Sequence, residues 1–231
     1  MNKNLFEFLT DGTEILKFDK IFENPVVFGI VVLVAIALVV FLVLQYRKEK
    51  DAPKPKRKTD VKVLVTGALC ISIAFVLSFI KLLDLPQGGA LTLASGLPII
   101  LFAYLYGPKH GLAAAFAYSL LQLLQGAYTV GIIQFLLDYP LAFTAFGLAG
   151  FYRKNIIPGI IAGYMVRLMC HFVSGVVFFG EYAKELGYAV VPYSFMYNAV
   201  FLIPEMILCI IIVLIPQVKR MIGNIRKELA V

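Results

Sequence analysis

The stretch Thr129-Val-Gly-Ile-Ile-Gln-Phe-Leu-Leu-Asp-Tyr-Pro-Leu-Ala-Phe-Thr-Ala-Phe-Gly-Leu-Ala-Gly150 decides how this chain is read. It is long and apolar enough to cross a bilayer, which takes about 20 residues of helix. Yet Asp138 lies near its middle. A carboxylate at the bilayer centre costs roughly 2.5–3.5 kcal/mol on insertion scales, so it is kept for a partner: a cation, a proton or a polar ligand. The next two apolar segments carry further polar groups, Arg167 and His171 in one, Tyr193 and Asn198 in the other. Together these groups read as a polar site within a helical membrane protein.

The composition agrees. Of 231 residues, 61% are hydrophobic and 15% charged, with mean hydropathy +0.88. A soluble domain is nearer about half apolar and about a quarter charged. The expected fold is therefore all-α and polytopic, because a β-barrel would show short alternating segments instead. The net charge of +7 sits mostly in loops between apolar segments. That placement points to topology signals and lipid headgroups of the bilayer, and no nucleic acid partner is expected. Cys70, Cys170 and Cys209 fall within apolar runs without metal-ligand spacing and read as buried thiols. No cleavable signal peptide is evident: the first 24 residues are polar, and the apolar stretch after them is long enough to span.

Seven membrane segments are expected, at about 25–46, 61–83, 96–107, 110–126, 129–150, 157–179 and 191–216. The third and fourth are shorter than the ~20 residues of a full span. Gly96 and Pro98 open the third, and Gly107-Pro108 closes it. The first stands apart, almost purely aliphatic from Val26 to Leu44. The expected organisation is an outside tail (1–24), an extra transmembrane anchor (25–46), a basic linker (47–60), a six-helix core (61–217) and a cytoplasmic tail (218–231). Orientation follows from Lys and Arg placement. Residues 47–62 hold eight basic side chains, and Lys109, Arg153, Lys154, Lys219, Arg220, Arg226 and Lys227 bring one side to 15 of 21. That side is expected to be cytoplasmic, with the N-terminus outside.

In this topology Asp138 lies nine residues, roughly 13 Å, from the outer end of its segment, and His171 eight residues, roughly 12 Å, from the outer end of the next. Arg167 and His171 are spaced i, i+4 and share a helix face, which Gly175 extends. Tyr128, Tyr193 and Asn198 belong to the same outer half. Two roles remain open for Arg167, ligand contact or counter-ion of Asp138. Glu205 lies deeper and reads as a separate relay or structural group. The chain has no G-x-x-x-x-G-K-[ST], no H-E-x-x-H and no G-x-S-x-G. It therefore carries no ATP cradle, zinc-protease site or serine elbow of those types, and no metal or cofactor is implied.

Four motifs, in order, carry a resemblance: Leu85-Pro-Gln-Gly-Gly89, Gln134-Phe-Leu-Leu-Asp-Tyr139, His171-Phe-Val-Ser-Gly-Val-Val-Phe-Phe-Gly180 and Tyr193-Ser-Phe-Met-Tyr-Asn198. Over about 61–220 the chain resembles the thiamin-specific S components of energy-coupling-factor transporters. The resemblance implies a non-enzymatic six-helix subunit that captures thiamin from outside. It also implies partners: a membrane coupling subunit and two cytoplasmic ATPases. Carried over residue by residue, it implies a site of Asp138, Tyr139, Tyr128, Arg167, His171, Gly175, Phe179, Tyr193 and Asn198. Some members place Trp where Phe179 stands and Glu where Asp138 stands; this chain has no Trp. In the family a small-residue face contacts the coupling subunit, and here Ala68 and Ser72 (i, i+4) offer one, with internal helix packing as the alternative. Two other readings stay open, an S component for another cationic or heteroaromatic metabolite, and an intramembrane enzyme using Asp138 and His171 as acid and base.

The chemistry stands beside the resemblance. A desolvated carboxylate complements a fixed thiazolium charge, and aromatic faces add cation–π attraction of ~0.5–2 kcal/mol. Tyr193 and Asn198 carry donors and acceptors that suit a pyrimidine edge. The glycine-bearing loop Leu85–Ser95 is expected to act as a lid.

Overall fold

Helix α1 (Val61–Ser78) opens the part of the chain that the computed structural model describes, residues 61–230. The expected tail 1–24, helix 25–46 and linker 47–60 lie outside the described residues. Helix α1 was expected to run to residue 83 but ends at Ser78, whose hydroxyl turns back onto the Phe75 carbonyl at 2.6 Å. The apolar run then changes structure. Strand β1 (Lys81–Asp84) pairs antiparallel with β2 (Ala90–Thr92), Lys81 opposite Thr92 and Asp84 opposite Ala90. The physical reason is charge: Lys81 and Asp84 pair at 3.0 Å with both side chains exposed, and a hairpin keeps them at the surface. The turn Pro86–Gly88 closes the hairpin, with Gln87 at φ +65° and Gly88 at φ +88°. A non-glycine residue in that region is uncommon.

Helix α2 (Leu97–Tyr106) is apolar all round and buried at Leu97, Ile99, Ile100, Phe102, Ala103, Tyr104 and Tyr106. That makes it a core helix, and explains why so short a segment is so hydrophobic. Helix α3 (Pro108–Gln122) runs on through a 3-10 turn, Leu123–Gln125, and stops at Gly126, φ +84°. Helix α4 (Ile132–Phe151) is interrupted. Its first turns, Ile132–Leu136, are α-helical, a π turn follows at Leu137–Leu141, and the end, Ala145–Phe151, is 3-10. Pro140 lies inside the π turn, where its missing N–H removes one ladder bond. The tight end of α4 lies against the α2–α3 corner. A Cβ on Gly147 would fall 2.6 Å from the Leu112 backbone, so only glycine permits this approach.

Helix α5 (Ile156–Phe178) is capped by Asn155, whose side chain accepts from the Ile157 N–H at 3.0 Å. A short α6 (Gly180–Glu185) leads to α7 (Val190–Leu214). The tail expected beyond residue 217 is helical from its start, as α8 (Pro216–Ala230). Ile222 of α8 is buried in the core, Lys219, Arg220 and Lys227 are exposed, and Arg226 donates to the Tyr104 hydroxyl at 2.6 Å.

Ile99, Ile100, Tyr118, Phe146, Ile160, Tyr164, Leu168 and Leu202 form the centre of the core, where α2, α3, α4, α5 and α7 meet. Among the described residues, α1, α4, α5 and α7 are long and apolar enough to cross a membrane. The chain is a multi-pass membrane protein, and the all-α architecture expected from composition is found, with the small hairpin as its one departure among the described residues. Helix α1 turns Leu64, Val65, Leu69, Ile73 and Val76 outward. Ala68 and Ser72 are exposed on this helix among the described residues.

Candidate ligand-binding site

The break in α4 positions the site. Single-turn π bulges concentrate at functional positions because they re-aim side chains. Here the bulge carries Asp138 and Tyr139 and turns both toward a cavity between α4, α5, α7 and the hairpin. The centres of water-sized spheres can occupy about 170 Å³ of it. All nine residues singled out in the sequence line it: Tyr128, Asp138, Tyr139, Arg167, His171, Gly175, Phe179, Tyr193 and Asn198.

Asp138 is held by three side chains. Its Oδ1 lies 2.8 Å from Nδ1 of His171. Its Oδ2 accepts from Gln134 Nε2 at 2.6 Å and from the Ser174 hydroxyl at 2.7 Å. Nε of Arg167 donates to Nε2 of His171 at 3.3 Å. That nitrogen must then carry the lone pair, so the network assigns the imidazole proton to Nδ1, where it is donated to Asp138. A neutral histidine thus separates the guanidinium from the carboxylate.

Arg167 is therefore not the direct counter-ion of Asp138. Its Nη1 lies 3.8 Å from Oε2 of Glu205, a residue with no exposed surface. The guanidinium also stacks 4.1 Å from the centre of the Phe143 ring. Lys81, the other cation lining the cavity among the described residues, is tied to Asp84. By formal charge, the pairs Arg167–Glu205 and Lys81–Asp84 cancel and Asp138 is left over as one negative charge.

The remaining walls are aromatic. Tyr128 and Phe179 face each other at 6.0 Å between ring centres, and Tyr193 lies 6.3 Å from Tyr197. The Tyr139 hydroxyl accepts from the Tyr128 N–H at 2.9 Å, which fastens the 126–131 loop to α4. Asn198 donates to the Ser194 carbonyl at 2.8 Å and the His171 carbonyl at 3.3 Å. Its donors are spent inside the protein; among the described residues its Oδ1 takes no hydrogen bond and stays open as an acceptor. A Cβ on Gly175 would meet Ser194 Cβ at 3.1 Å, so this glycine sets the approach of α5 to α7.

Sequence reasoning did not single out Gln134 or Ser174 as partners of Asp138. Helical spacing carried the signal, since Gln134 precedes Asp138 by one turn and Ser174 follows His171 by one turn. Tyr197 was missed too, one turn beyond Tyr193. Its hydroxyl donates to the Pro86 carbonyl and accepts from the Gly89 N–H at 3.3 Å, so it links α7 to the hairpin turn.

The chain is similar to known proteins in sequence and in fold. The sequence pattern of the family described as Thiamine transporter protein (Thia_YuaJ) matches residues 64–223. Thiamine transporter ThiT of Bacillus subtilis is 30% identical over 168 residues, which covers 64% of this chain and 86% of that protein. Thiamine transporter ThiT of Lacticaseibacillus paracasei is 30% identical over 137 residues, 51% of this chain and 68% of that one. The solved structure of ThiT from Listeria monocytogenes shares the fold, with a TM-score of 0.61 and 24% identity over 70% of this chain and 97% of that one. The relatives carry the names of transporters, not enzymes. By the extent of its pattern match and its similarity to these relatives, the chain belongs to the Thiamine transporter protein (Thia_YuaJ) family.

Proposed function

We propose that the cavity binds thiamin presented from outside the cell, and that the chain is the substrate-binding membrane subunit of an ATP-driven importer. In this reading its partners are a membrane coupling subunit and two cytoplasmic ATPases. The basic loops and α8 face the cytoplasm, as positive-inside placement implies, and the hairpin end of the bundle faces out.

The observation that carries the reading is the uncancelled charge of Asp138 in an aromatic-walled cavity. Thiamin has a fixed cationic thiazolium and an aminopyrimidine. The carboxylate attracts the cation strongly where water is excluded. The faces of Tyr128, Phe179 and Tyr193 add cation–π and stacking contact. Oδ1 of Asn198 accepts from the pyrimidine amine. His171 holds Asp138 in one orientation and donates no charge to it. The hairpin turn, linked to α7 through Tyr197, covers the cavity as a lid. Ala68 and Ser72, exposed on α1, give the coupling subunit a face of small side chains on which helices pack closely.

Calorimetric titration of the purified chain in detergent, without ATP, tests the reading. Saturable one-to-one binding of thiamin is expected, because every group invoked lies in this chain. No heat, and no protection against thermal unfolding by excess thiamin, contradicts it.

A further inference from the structure

We propose that Glu205, which does not line the cavity, sets the cavity's preference for cations by neutralising Arg167. The inference rests on the reading of the cavity as a site for a cationic ligand.

Glu205 lies on α7 two turns beyond Asn198 and has no exposed surface. Its Oε1 accepts from the Thr92 hydroxyl, and from the Ser95 N–H and hydroxyl, each at 3.2 Å. Three donors on one oxygen are what an acceptor-only carboxylate takes. Its Oε2 has no hydrogen-bond partner and stands 3.8 Å from Arg167 Nη1. A buried polar atom without a hydrogen bond is rare and calls for an explanation; here it is the charge opposite the guanidinium.

The arrangement solves a problem built into the site. Arg167 lines the cavity and orients His171, but its charge repels the cation that Asp138 attracts. Only His171 separates the two charges, and such fields act strongly in a low-dielectric interior. Glu205 removes the repulsion without itself lining the cavity. The guanidinium keeps its hydrogen-bonding role while its charge is cancelled. Glu205 is thus a positioning and specificity residue that acts on the ligand through another side chain.

The test compares thiamin with deazathiamin, an isostere whose central ring is neutral, by calorimetry on the full chain. The readout is the ratio of the two affinities in wild type, Glu205→Gln, Arg167→Gln and the double variant. Glu205→Gln is expected to lower the cation preference by about tenfold or more, while the neutral isostere changes by less than about threefold, as a charge effect requires. Arg167→Gln is expected to raise the preference, because the charge of Glu205 then adds to that of Asp138, and the double variant returns it toward the wild-type value, because removing both charges again leaves Asp138 uncancelled. A wild-type preference retained in Glu205→Gln overturns the proposal. So does a double variant no more cation-selective than Glu205→Gln. If Glu205→Gln does not fold, the other two variants decide: an Arg167→Gln variant more cation-selective than the double variant supports the role, and equal preference in the two refutes it. A wild type with no preference for the cation overturns the underlying reading of the cavity instead, which separates the two failures.

Discussion

Nδ1 of His171 lies 2.8 Å from Oδ1 of Asp138 and joins the middle of α5 to the π turn of α4. This contact fixes the direction of the carboxylate, and Ser174, one turn further along α5, completes the hold from the other oxygen. Ser174 is buried, and truncating it removes one of the two donors to Oδ2 of Asp138. Ser174→Ala is therefore expected to destabilise the ligand-free protein by about 1.5–3 kcal/mol, the range for a hydrogen bond to a charged group. Thermal unfolding followed by circular dichroism checks this. An unchanged midpoint contradicts a fully engaged carboxylate.

The parts of this site that the sequence revealed are those in which one helix carries the information. A charge inside an apolar run stands out, and i, i+4 spacing puts Arg167 with His171. The Arg167–Glu205 pair was not legible, because it joins two helices. Which faces meet depends on helix rotation, and periodicity does not fix rotation in a segment that is apolar all round. The hairpin was hidden for a related reason: Leu82 and Leu83 continue the apolar pattern of α1, and only Lys81 and Asp84 mark the change. The π turn had one local sign, Pro140, which indicates a disturbed helix but not which kind.

Tyr197 connects the hairpin turn to α7 through both its donor and its acceptor. Tyr197→Phe keeps the ring beside Phe201 and removes only those bonds. Thiamin dissociation is expected to accelerate by about tenfold, equivalent to ~1.4 kcal/mol, close to the net worth of one or two hydrogen bonds. Stopped-flow or filter-binding kinetics measure it. An unchanged dissociation rate rules out a lid held by Tyr197.

Ala68 and Ser72 are exposed on α1, away from the cavity. Ala68→Leu and Ser72→Leu are expected to leave thiamin affinity unchanged in detergent and to lower ATP-dependent uptake in vesicles carrying the full complex, because bulk there keeps the partner helix away. Normal uptake in both variants returns these residues to ordinary lipid-facing positions.

The central claim is that Asp138 binds by charge, and Asp138→Asn tests it most directly because the amide preserves size while removing the charge. Titrations of wild type and variant with thiamin and with its neutral isostere give the comparison. Thiamin is expected to lose about 1.5–3 kcal/mol, and the neutral isostere much less. Equal losses for both ligands would mean that Asp138 serves only to hold α4 and α5 together, and would contradict the account.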